Sequence, residues 1–132
     1  MVSLRFSLLS LAAALALGAS AAQAAGPGEA KFLDNCSACH QPTGKGVKGA
    51  FPALAGNPFV QGDPTLVSMT VLNGRGGMPS FKDDLTDADL AQVLTYVRSA
   101  WGNKAKPVTV AQVHMARVKA NAAAKARGLQ IH

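Results

Sequence analysis

Apolar residues recur at helical spacing in four stretches of this 132-residue chain. The clearest is Leu90, Val93, Leu94, Val97 and Trp101, at i, i+3, i+4, i+7 and i+11, which is one face of a helix. Before it, Thr86-Asp87-Ala88-Asp89 reads as a capping box, whose side chains satisfy amides that a helix start leaves without partners, and Gly102 ends it. A second helix opens at Asp63-Pro64, with aspartate as N-cap and proline in the first turn. It carries Leu66, Val67, Val71 and Leu72 as its apolar side and stops at Asn73-Gly74. A shorter helix spans Gly28 to His40, with Phe32, Leu33 and Cys36 on one side. The fourth, from about Thr109 to Arg127, is rich in alanine and has a weak stripe of Ala111, Met115, Val118 and Ala122. The pattern predicts an all-α fold.

Two loops separate these helices. The first carries glycines at 44, 46, 49 and 56 and prolines at 42, 52 and 58, a composition suited to backbone packed closely against something flat. The second, Gly74 to Phe81, holds Met78 between Gly77 and Pro79. Lys104 to Val108 reads as a linker.

The first 24 residues read as an export signal. Arg5 gives a positive start, Phe6 to Leu17 an apolar stretch, and Ala22-Gln23-Ala24 a small-residue cleavage site. The apolar stretch is shorter than the roughly 20 residues a membrane span needs, and an uncleaved anchor is the alternative. The expected organisation is a signal over residues 1–24, one small domain over 25–103 and a basic extension over 104–132. The net charge of +6 belongs to that extension. From Ala25 to Asn103 six bases face seven acids, whereas from Lys104 onward there are six bases and no acid. Nucleic acid is a poor partner for an exported chain. An acidic protein patch or an anionic membrane surface suits the charge better, and the charges would also serve simply to keep an alanine-rich helix soluble.

Candidate chemistry centres on Cys36-Ser37-Ala38-Cys39-His40. Cys-x-x-Cys occurs in zinc sites, dithiol oxidoreductases and c-type haem attachment. A zinc site wants four ligands, but the chain has two cysteines, and His114 and His132 lie far along the sequence. A dithiol enzyme wants a βαβ setting, and no β-rich run is near. With histidine directly after the second cysteine, the motif fits one covalent haem c, held by thioethers from Cys36 and Cys39 with His40 on the iron. The sixth iron position decides between electron transfer and small-molecule chemistry. Met78 is the best candidate, because its glycine-flanked loop brings backbone close and Pro79 restrains it. Met69 falls within a helix as core filler, while His114, Met115 and His132 would need the tail to fold over the haem. A His/Met pair raises the potential and leaves no vacant site for oxygen or peroxide, which suits an electron carrier and not an enzyme.

With this motif, the proline loop, Met78 and a last helix reaching Trp101, the stretch from Gly28 to Trp101 resembles class I c-type cytochromes. The resemblance implies their all-α fold wrapped around the haem, here with an extra C-terminal helix. Phe32, Leu94 and Tyr96 match the packing of first helix on last, as helix packing and pocket wall more than as electron relays. Pro52 matches the proline whose carbonyl accepts a hydrogen bond from the histidine Nδ1, which orients the ring. Arg75 would pair with a haem propionate or stand as a solvated loop charge. Phe51 to Pro58, Asn73 to Phe81, and Tyr96 to Asn103 with Pro107-Val108-Thr109 resemble single haem domains of the cytochrome c subunits of bacterial membrane-associated alcohol and sugar-acid dehydrogenases. Those subunits carry three haem motifs, and this chain has one. The implied function is periplasmic transfer of single electrons by a monomer, between a dehydrogenase donor and an oxidase or another cytochrome. The alternatives are a tightly bound subunit of a dehydrogenase or oxidase complex and, further off, a gas- or peroxide-handling haem protein.

Overall fold

The computed structural model describes residues 26–129, so the export signal and His132 lie outside the described residues. Among these residues there are helices and no strands: α1 (Pro27–Asn35), α2 (Ser37–His40), α3 (Pro58–Gln61), α4 (Pro64–Asn73), α5 (Asp87–Val97) and α6 (Val110–Leu129). The stop and start signals act as their chemistry dictates. Asp63 accepts from the Thr65 amide at the start of α4. At α5 the Thr86 hydroxyl accepts from the Asp89 amide while the Asp89 carboxylate accepts from the Thr86 amide. Gly74, at φ 72°, ends α4. Two boundaries and one face differ from the sequence reading. Cys36, at φ −123°, breaks the expected Gly28–His40 helix into α1 and α2. α5 stops at Val97, and the chain turns through Arg98–Gly102, with Trp101 and Gly102 both at positive φ. In α4, Leu66 faces solvent, while Ser68, bonded to the Pro64 carbonyl, takes its place inside.

α1 crosses α5 so closely that a methyl group at Gly28 would collide with the Gln92 carbonyl oxygen. Side chains complete the junction. Phe32, fully buried, has Trp101 at 5.0 Å and Tyr96 at 5.7 Å between ring centroids. Lys31 pairs with Asp89, and the Tyr96 hydroxyl donates to Glu29. α6 packs against both α5 and α4, and Leu72, Leu90, Leu94, Val97, Val113 and Ala116 share one buried cluster with Phe32. The basic extension therefore packs on the body. Its inward side is Val113, Ala116 and Ala120, and the stripe expected from the sequence, Ala111, Met115, Val118 and Ala122, points to solvent. Arg117 secures the docking: its guanidinium donates to the Asp87 carboxylate and to the Lys82 and Leu85 carbonyls at 2.6, 2.6 and 2.8 Å.

Candidate haem site

The motif sits at the break between α1 and α2. Cys36 closes α1 through its amide to the Phe32 carbonyl, and the Cys39 and His40 amides then bond to the Cys36 carbonyl, coiling the five motif residues into about one turn. Gln41, at φ 63°, and glycines 44 and 46, also at positive φ, then fold the chain back under the motif. The Gly46 amide reaches the His40 carbonyl, and the Leu54 and Ala55 amides both reach the Gly44 carbonyl. This loop is clamped from the far side. The Trp101 indole donates to the Pro42 carbonyl, and a Cβ at Gly44 would run into the Trp101 ring.

One product of that folding is a contact between His40 and Pro52. His40 is buried, and its Nδ1 donates to the Pro52 carbonyl oxygen at 2.9 Å. A carbonyl can only accept, so the proton resides on Nδ1 and Nε2 keeps its lone pair for a metal. The two cysteines are free thiols, both partly covered. Burial, and to a lesser degree Cys39, push the Cys36 thiol up to about 11. A nucleophilic or redox-active cysteine needs the opposite shift. Among the described residues no three His, Cys, Asp or Glu side chains gather as a metal cage.

Met78 stands in a hairpin-like turn in which it and Arg75 exchange two backbone hydrogen bonds, at 3.0 and 3.1 Å, across Gly76-Gly77. Gly74 must lack a side chain, since a Cβ there would strike the Met78 carbonyl. Beyond Met78, the Ser80 hydroxyl bonds to the Leu72 carbonyl and the Phe81 amide to that of Val71, which pins the loop to the end of α4. Arg75 is exposed, with its guanidinium carbon 5.7 Å from the centre of the Phe59 ring. The other sulfur and imidazole candidates lie elsewhere. Met69 is in α4 against the core, Met115 faces outward on α6, and His114 donates to Asp87 at 3.1 Å.

The residues fit a flat apolar group. Cys36 beside His40, Leu54 in the proline loop, Met69 and Val71 in α4, and Phe81 after Met78 pack on the core yet remain partly uncovered. Two residues that hold the site escaped the sequence reading. Asn103, 3% exposed, donates to the Leu54 and Val97 carbonyls and accepts from the Gly56 amide, tying the loop beyond Pro52 to the end of α5. Arg98, equally buried, donates to the carbonyls of Val60, Gly62 and Lys106.

Residues 23–97 match the family described as cytochrome c oxidase, cbb3-type, subunit III. The chain is 36% identical over 104 residues to the cytochrome c subunit of the quinone alcohol dehydrogenase of Gluconobacter oxydans, covering 70% of this chain and 22% of that subunit. It thus spans under a quarter of that relative's length. It is 35% identical over 123 residues to cytochrome c-552 of Thermus thermophilus, covering 77% of this chain and 80% of that protein. It is also 34% identical over 90 residues to the cbb3-type oxidase subunit CcoP of Azospirillum brasilense. More than half of the chain lies within the family match, on the helices and loops that hold Cys36, Cys39 and His40, and the protein, all-α among its described residues, belongs to this cytochrome c family.

Proposed function

We propose that this protein carries one electron at a time in the periplasm on a single haem c, bound covalently through Cys36 and Cys39, with His40 and Met78 as iron ligands and no catalysis of its own. The observation that carries the reading is His40, buried next to the cysteine pair with Nδ1 held by Pro52 at 2.9 Å. When bound, the haem supplies an iron that cycles between ferric and ferrous states. The protein's part is to hold its ligands still. Pro52 orients His40 and strengthens its donation, while the glycine turn and the Ser80 and Phe81 anchors position a soft thioether, which favours the ferrous state. With His40 and Met78 both holding the iron, no site on it would stay open to oxygen or peroxide. Arg75, over the Phe59 ring, would pair with a haem propionate. Replacing Met78 by alanine tests the ligand set: the holoprotein should become high-spin, bind carbon monoxide when reduced and fall in potential. An unchanged low-spin spectrum would remove Met78 from the iron.

A second reading follows from the relatives' names, since several are subunits of alcohol or gluconate dehydrogenases. Donor and acceptor are then a dehydrogenase and an oxidase or another cytochrome, met either in solution as a free monomer or within one assembly. Size-exclusion chromatography of gently extracted native material distinguishes these. Haem absorbance at monomer size supports the shuttle, and co-elution with a dehydrogenase or oxidase makes the chain a subunit.

A further inference from the structure

α6 has two apolar sides, and the fold uses one. Val113, Ala116 and Ala120 are buried against α4 and α5. At 100° per residue, Ala111, Met115, Val118 and Ala122 lie across the helix axis from them, and Met115 and Val118 are 54% and 49% exposed. Lys119 borders this outer stripe on one flank, and Lys125 with His114 on the other. The helix also outruns the body: every described side chain from Asn121 to Gly128 is exposed, so its last two turns rest on alanine propensity alone.

From this juxtaposition we infer that the outer face of α6 is a docking surface for a helix of an acidic partner protein, separate from the haem site. Charge selects among the occupants. The chain from Lys104 onward has no acid, and Lys104, Lys106, Lys119, Lys125 and Arg127 are all exposed, so a second copy of α6 would meet its own charge. An interfacial membrane helix inserts tryptophan, phenylalanine or leucine, whereas this stripe offers valine, methionine and alanine. Small side chains at Ala122 and Ala126 let a partner backbone come close, methionine adapts to it, and the flanking lysines meet its acidic rim. The surface would hold the cytochrome to its partner without covering the residues that bind haem.

The test uses the haem-loaded protein in the cells that make it, with a benzophenone side chain placed at Val118 or, as control, at exposed Asp34 on α1. Val118 should cross-link to one protein, with the attachment mapped by mass spectrometry to a helix of net negative charge. Lys119→Glu with Lys125→Glu should abolish that product while leaving the haem spectrum unchanged. Cross-linking to a second copy, no product above the Asp34 control, or a product that survives charge reversal would overturn the inference. So would charge-dependent co-sedimentation with phosphatidylglycerol vesicles in place of a protein adduct.

Discussion

Arg98 caps α5, four residues after Leu94 and in line with its apolar stripe, yet its charged side chain is 3% exposed and donates to three carbonyls. Burial pulls its pKa below the ordinary arginine value, and nearby Asp63 opposes the shift. The guanidinium fork does what no other side chain can, joining the end of α3, the approach to α4 and the linker to α6 from one point. Replacing Arg98 by leucine leaves buried acceptors without a donor and should cost about 3 kcal/mol in guanidinium denaturation of the holoprotein, with lysine restoring only part. At the surface, Lys31 and then Thr86 hold the Asp89 carboxyl down to about 2, against an ordinary 3.8. The unfolded chain therefore takes up this proton first. The stabilisation is complete above about pH 4 and is lost as pH falls towards 2. Lys31→Met should flatten that part of the stability profile.

Helices here are held by what crosses between them. Two face assignments on α6 give opposite expectations for the same substitution. Ala116 is fully buried, so Ala116→Leu overpacks the contact with α4 and α5 and should cost about 1–3 kcal/mol. Ala122→Leu lies on the outer side and should change stability by under about 0.5 kcal/mol. Chemical denaturation of the two holoproteins decides between the observed face and the one the sequence stripe suggested. Equal effects would contradict the packing described here.

At the scale of the whole molecule, the core is a small cluster around Phe32 and the α5 stripe, with Leu54, Met69, Val71 and Phe81, in the proline loop, α4 and the stretch after Met78, left partly uncovered. A chain this short buries a modest fraction of its surface, and a covalent apolar group adds what the core lacks. Protein produced without haem should therefore lose helical circular dichroism and amide dispersion. A well-dispersed amide spectrum of the haem-free protein would show that the peptide folds unaided.

Local chemistry alone determined much of this protein. Thr86 with Asp89 and Asp63 with Pro64 act within one turn of chain, so the starts of α4 and α5 were legible. Cys36 to His40 are contiguous, so the chemistry of the haem motif was legible too, and Phe32 with the α5 stripe announced the central helix pair. What stayed hidden depends on partners distant in sequence. Arg98 and Asn103 carry no signal except that a charge and an amide fall at the end of an apolar face, because their meaning is the carbonyls that other loops present to them. Cys36 breaks its helix to close α1 and open α2. In α6, alanine on every side makes the period ambiguous, and Arg117 reaching Asp87, Lys82 and Leu85 picks the inward face. Sequence determines what each segment can do within a turn or two. The tertiary structure decides which of several apolar or polar faces is used, because burial is rewarded only where another segment supplies the matching surface.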